Sequence, residues 1–124
     1  MNDIQVSTNF KLREFQCKGV NCCGNAVILH KLLLDRLQAM RTEAGHPLVI
    51  NSGYRCPAHN RAIGGASRSK HLEGMAADIR IPAISHGDLV KLVEKHFKGQ
   101  GGIGYASSYM HVDTGPAREW QEGK

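Results

Sequence analysis

The stretch Ser69-Lys70-His71-Leu72-Glu73-Gly74-Met75-Ala76-Ala77-Asp78, with His111-Val112-Asp113 downstream of it, restricts the fold more than any other part of the chain. Two imidazoles and a carboxylate make a metal-ligand set. Zinc takes imidazole nitrogen and carboxylate oxygen at about 2.0–2.2 Å, and a catalytic ion usually keeps three protein ligands and one open position. His71, Asp78 and His111 would supply the three. Were residues 71 to 78 one helix, the two side chains would stand roughly 10 Å apart along its axis, and on one strand more than about 20 Å apart. Neither regular element brings both to a single ion. Shared coordination requires the chain to reverse between them, and Gly74, free to take positive φ, permits the turn.

Past that turn, Met75-Ala76-Ala77-Asp78-Ile79-Arg80-Ile81 is apolar and β-branched, which predicts a partly buried strand with Asp78 near its start. An acid entering a core strand needs a compensating partner. Tyr109-Met110-His111-Val112-Asp113-Thr114 alternates, so on a strand Tyr109, His111 and Asp113 share one face. A lone His-x-Asp would read as the wet side of a surface strand. Together with the upstream His and Asp, it reads as one wall of a cleft.

The pattern Ser69-x-His71-x-x-Gly74-x-Ala76-x-Asp78 followed by His111-x-Asp113 resembles the zinc D-Ala-D-Ala carboxypeptidase and L-Ala-D-Glu endopeptidase family of peptidoglycan hydrolases. Further matching text precedes it in the family's order: Ser52-Gly53-Tyr54-Arg55, His59-Asn60 and Gly64-Gly65-Ala66. The resemblance runs from about Phe10 to Trp120. It implies zinc held by His71, Asp78 and His111 on a small α+β fold. The wider clan, with lysostaphin-like endopeptidases and the hedgehog signalling domain, includes zinc sites that are not catalytic.

A chain of 124 residues suits one compact domain, and no linker or low-complexity stretch divides residues 1–124. The N-terminal Met1-Asn2-Asp3-Ile4-Gln5-Val6-Ser7 lacks the basic and apolar runs of a secretory signal, and no segment reaches membrane-spanning length. The expectation is a monomer with no membrane role, made in the cytoplasm like a phage endolysin and acting on the cell wall after release. A trimmed secreted protein would look the same. The net charge of +5 favours an anionic partner such as wall polymer, peptide carboxylate or nucleic acid.

For the scaffold, Leu29, Leu32, Leu33, Leu37 and Met40 recur at three- and four-residue spacing and predict a helix over 26–44, capped by Asn25 and stopped by Gly45. A second helix starts at Ser85, with Asp88 completing a short capping box and Leu89, Leu92, Val93 and His96 inward. Gly99, Gly101, Gly102 and Gly104 loosen the chain before a hairpin that turns through Ala106-Ser107-Ser108. Strands near 48–51, 77–81, 102–105 and 109–114 then make a mainly antiparallel sheet with helices on one side, an α+β fold. The glycine run lacks both the nucleotide-binding spacing and a Gly-Lys-Ser/Thr ending, which argues against a phosphate loop.

A hydrolase needs a proton acceptor beside its activated water. Asp113 ranks first, either accepting that proton or orienting an imidazole, and Glu73 second. Relatives in this family place an acid three residues before the last ligand or a histidine two before it, where this chain has Ser108 and Tyr109. Tyr109 is therefore read as a hydrogen-bond donor to the developing oxyanion. Arg55 matches the family's Ser-Gly-Tyr-Arg position, where a guanidinium would pair with a substrate carboxylate or the tetrahedral intermediate. Ser69 is read as a hydrogen-bonding residue near the site.

Cys17, Cys22, Cys23 and Cys56, with His59 in the run Cys56-Pro57-Ala58-His59, have spacing that a second, structural zinc could use. The reading favoured from sequence is a disulfide staple or free thiols. The Cys/His cluster and the basic balance also suit a zinc-stabilised nucleic-acid binder or nuclease. That reading ranks lower, because the chain has no concentrated Lys/Arg stripe and no base-stacking platform. A zinc domain that only binds peptides or wall fragments is the third alternative. The leading expectation is zinc-dependent hydrolysis of peptidoglycan stem peptides.

Overall fold

The computed structural model describes residues 2–122. The elements run α1 (Lys31–Ala44), β1 (Val49–Ser52), α2 (Pro57–Ala62), β2 (Ala76–Arg80), α3 (His86–Phe97), β3 (Gly102–Tyr105), β4 (Met110–Asp113) and β5 (Arg118–Gln121), with 3-10 turns at Leu12–Phe15 and Lys70–Glu73. The five strands form one sheet in the order β1-β2-β4-β3-β5. All pairings are antiparallel except β3 with β5, which run parallel. The fold is α+β, as the sequence leads one to expect.

Alternation along the strands gives the sheet two different faces. Ile50, Ala77, Ile79, Ile103, Met110 and Val112 point to the side where α1 contributes Leu33, Leu34, Leu37 and Met40, and α3 contributes Leu89, Val93 and Phe97. These side chains form one close-packed cluster, in which truncating Phe97 to Ala would cost about 3–5 kcal/mol. The opposite face carries a row of register-matched residues: Ser52, Asp78, His111, Gly104 and Trp120. A second row holds Ala76, Asp113, Gly102 and Arg118.

Several local expectations need correction. Helix α1 begins at Lys31 with His30 as its N-cap, not at Ala26. Asn25 takes a left-handed φ of 60° and caps nothing. Residues 26–30 stay out of the helix because His30 N–H donates to the Gly74 carbonyl at 3.0 Å, a tertiary bond that a helix there would break. Leu32 is consequently exposed, and Leu34 takes its place in the core. Gly45 does stop the helix, at φ 69°. Ser85 does cap α3, accepting from Asp88 N–H at 3.1 Å. His96 instead sits at the helix edge and bonds Glu43 at 3.0 Å, while Phe97 fills the core.

Two elements have no counterpart in the sequence reading: α2, and the edge strand β5, whose Arg118-Glu119-Trp120-Gln121 shows no apolar alternation. Gly102 and Gly104, expected to loosen the chain, lie inside β3. A Cβ on Gly102 would come within 2.5 Å of the Asp113 carboxylate, and one on Gly104 within 2.7 Å of the Glu122 carboxylate. Their missing side chains make room on the functional face.

Candidate metal centre

The reversal between His71 and Asp78 is built by a 3-10 turn and one left-handed residue. Ser69 Oγ accepts from His71 N–H at 3.2 Å and caps the turn, and Gly74 ends it at φ 71°. A Cβ on Gly74 would stand 2.3 Å from the Ile28 carbonyl oxygen, so only glycine fits there on both counts. The chain then enters β2, and register places Asp78 directly opposite His111 on β4.

His71 Nε2 and His111 Nδ1 approach the same oxygen, Asp78 Oδ1, at 3.2 and 3.0 Å. One ligand atom from each of the three residues lies within 4.8 Å of the others, and all three side chains are buried. The remaining ring nitrogens set the tautomers. His71 Nδ1 lies 2.7 Å from the Gly53 carbonyl, which can only accept, so that nitrogen carries the hydrogen. His111 Nε2 donates to Asp113 Oδ2 at 2.8 Å. With those hydrogens placed, the other nitrogen of each ring faces the same carboxylate oxygen. Three lone pairs at one point repel unless a proton or a metal cation sits among them. Two nitrogens and one oxygen are a donor set that suits zinc.

The protonation pattern agrees. Burial alone would lower the His111 pKa, but the hydrogen bonds to Asp113 and Asp78 and their charges push it up to about 9. Burial would raise the pKa of Asp78, yet the bonds from His111 and His71 hold it well below the usual carboxylate range. Asp113 is held down in the same way, burial being outweighed by His111 and Arg118.

Asp113 is fully buried and its oxygens are saturated. Oδ1 accepts from Gly102 N–H at 3.1 Å, Gly115 N–H at 2.9 Å and Arg118 Nη1 at 2.9 Å, and Oδ2 accepts from His111 and from Arg118 Nη2 at 2.9 Å. Of the two roles that the sequence leaves open to it, this geometry fits orientation of the imidazole and leaves no lone pair facing the cleft. Glu73 is half exposed, pairs with Lys70 at 3.0 Å and does not line the cleft.

The cleft has a volume of about 380 Å³, and its walls include Arg55, Ser69, His71, Asp78 and His111. Arg55 is tied to the centre, donating to Asp78 Oδ2 at 3.1 Å, Ser52 Oγ at 3.1 Å and Asn60 Oδ1 at 3.4 Å. Gly65 lies so close that a Cβ there would overlap Asn60 Oδ1. The three upstream motifs thus meet around one guanidinium and one carbonyl, Gly53. Arg68, Lys70 and Arg118 also line the cleft, against two carboxylates, Asp78 and Glu122.

Sequence reasoning missed Trp120 and Glu122. Because Gly104 is bare, the Trp120 ring on β5 reaches His111, with centroids 5.0 Å apart, and Arg118 stacks on the indole at 4.9 Å. Glu122 accepts from Tyr109 Oη at 3.1 Å and from Trp120 Nε1. Tyr109 is held protonated to a pKa of about 12 by burial and by the Glu122 and Asp78 charges. No local pattern marks Glu122, because it reaches the cleft only through the parallel pairing of β5 with β3.

The cysteines lie elsewhere, on the loop before α1 and at the start of α2. All four are free thiols, with Cys17 and Cys56 buried. Their sulfurs gather in one cluster that does not include the His59 ring.

Residues 8–113 match the Peptidase M15 family. The peptidoglycan L,D-endopeptidase MepK of Escherichia coli K12 is 35% identical over 97 residues, which cover 71% of this chain and 52% of that protein. The zinc D-Ala-D-Ala carboxypeptidase of Streptomyces albus G is 36% identical over 89 residues, 68% of this chain and 35% of that enzyme. A probable MepK of Haemophilus influenzae is 36% identical over 107 residues, 75% of this chain and 56% of its own length. The chain thus spans about half the length of the MepK relatives. With the family match running from the N-terminal turn through His111 and Asp113, and with relatives of this identity alongside it, the chain belongs to the Peptidase M15 family.

Proposed function

We propose that this protein hydrolyses a peptide bond in peptidoglycan stem peptides, with zinc held by His71, Asp78 and His111. The observation that carries the reading is the convergence of three lone pairs at the floor of a cationic cleft. When bound, zinc supplies Lewis acidity and lowers the pKa of a coordinated water toward about 7. Asp113 and the Gly53 carbonyl keep both imidazoles in the ligating tautomer. Arg55 neutralises the second oxygen of Asp78 and, with Arg68, Lys70 and Arg118, makes the cleft attractive to a peptide carrying free carboxylates. Ser69 shapes the turn that presents His71.

Glu122 is the proton acceptor in this reading. It is the cleft's one carboxylate outside the ligand set among the described residues, and the hydrogen bonds it accepts from Tyr109 and Trp120 hold it in place. Its oxygen takes the proton of the attacking water as the C–O bond forms, and returns it to the leaving amine as the C–N bond breaks. The names of the zinc carboxypeptidase and the L,D-endopeptidases support this substrate class, and both bond types remain within it.

The test is to incubate zinc-loaded protein with purified peptidoglycan and identify released fragments by mass spectrometry, beside His71→Ala and Glu122→Gln. New peptide termini from the parent protein alone are expected, and their masses assign the bond. Binding to the wall without new termini would overturn the hydrolase reading in favour of a silent zinc domain.

A further inference from the structure

We propose that Cys17, Cys22, Cys23 and Cys56 hold a second, structural zinc ion as four thiolates, clipping the N-terminal loop to the segment that builds the cleft. The four sulfurs lie within 4.8 Å of one another, with Cys17 to Cys22 at 3.9 Å and Cys22 to Cys23 at 3.7 Å. A zinc ion with four sulfurs at about 2.3 Å spaces them at tetrahedron edges of about 3.8 Å. A staple of two disulfides would instead draw the sulfurs together in pairs at about 2.05 Å. With the Cys22–Cys23 pair ruled out by adjacency, two pairings would then compete. One ion uses all four sulfurs without that choice, which reverses the preference drawn from sequence.

The backbone around the cluster is shaped for it. Residues 16–30 form neither helix nor strand. Loops of that length are uncommon without a function or a tether. Asn21, Gly24 and Asn25 take φ of 56°, 69° and 60°, bending the chain on both sides of the Cys22-Cys23 pair. Gly19 passes so close that a Cβ would lie 2.5 Å from Cys22 Sγ. Two amides point at sulfur: Cys56 N–H to Cys17 Sγ at 3.5 Å, and His59 N–H to Cys56 Sγ at 3.4 Å. Such donors stabilise the negative charge of ligating thiolates.

The placement gives the ion a purpose. Cys56 follows Arg55 directly, and the same segment supplies the Gly53 carbonyl that orients His71. Phe15, just before the loop, accepts from Tyr54 N–H at 2.8 Å. Joining Cys17, Cys22 and Cys23 to Cys56 therefore fixes both ends of the strip behind the cleft. The four soft donors fill a tetrahedral ion and leave no open position, so the role is structural.

The experiment measures zinc per chain by elemental analysis and native mass spectrometry in the full protein, in His71→Ala and in Cys23→Ser. Two equivalents are expected in the parent chain. One should persist in His71→Ala and leave only when an organomercurial titrates the thiols. Cys23→Ser should lose that equivalent, and cobalt-loaded His71→Ala should keep an intense thiolate-to-cobalt band that Cys23→Ser lacks. Zinc in His71→Ala bears on the cysteines alone, so failure here is separable from failure of the proposed catalytic site. Should Cys23→Ser not fold, thiol titration of the parent protein decides: four thiols that react freely before any zinc is removed, two disulfides by mass, or iron in place of zinc would each overturn the proposal.

Discussion

The sheet centre and the cysteine loop both gather side chains of metal-ligating type, but they are constructed in opposite ways. On the sheet, strand register places Asp78 opposite His111, and each ligand has its own supporting bond, from Gly53, Arg55 or Asp113. The donors are three and the cleft beside them is open. In the loop the donors are four, and left-handed residues rather than strand pairing shape the chain around the sulfurs. An open triad with hard and borderline donors suits chemistry, and a closed thiolate set suits anchoring. Side chains that must act are held by rigid elements, whereas those that only tether can be carried on irregular chain.

The comparison breaks first, if it breaks at all, at His71. His71→Ala should abolish cleavage and remove zinc from the sheet while leaving the thiolate equivalent in place, read by fragment analysis and metal content together. Cleavage retained by that variant would end the assignment of the triad. Next in size, Glu122→Gln should lower kcat by about 10²–10⁴-fold with metal content and peptide affinity unchanged. Equal loss in metal content would make Glu122 a structural residue.

Asp113→Asn should weaken metal affinity or activity by about 10–100-fold, because the amide no longer secures the His111 tautomer. The same variant carries a titration signature. In the metal-free protein, NMR should place the His111 midpoint near 9, and Asp113→Asn should move it downward by removing a main cause of the rise. An unmoved midpoint would mean that Asp78 alone sets it. The smallest effect on chemistry is expected from Cys23→Ser: a melting midpoint lowered by more than about 5 °C, with cleavage by the remaining folded protein reduced only a few-fold. A variant that melts normally but does not cleave would place the cysteines in the reaction instead of the scaffold.

How much of this could be read beforehand differs from residue to residue. The turn at Gly74 was legible because two ligands seven residues apart cannot share an ion on any regular element. The shared face of His111 and Asp113 was legible from alternation, and so was the apolar face that α1 and α3 cover. Apolar spacing that continues through Leu29 carries the predicted helix five residues too far upstream, because the bond from His30 to Gly74 that keeps this segment out of α1 is tertiary. For Asp113 the sequence leaves open both accepting a proton and orienting an imidazole, since nothing local reveals Arg118, Gly102 and Gly115 closing around it.

By itself the sequence determined the triad, the reversal that joins it and the family to which the chain belongs, because ligand type, spacing and period are local properties that a linear text carries. Only the tertiary structure decided which carboxylate faces the cleft, which one is locked behind an imidazole, and that four scattered cysteines meet. Those outcomes depend on the parallel pairing of β5 with β3 and on loop closure over Gly19. Such long-range approaches leave no periodic mark in the residues that make them.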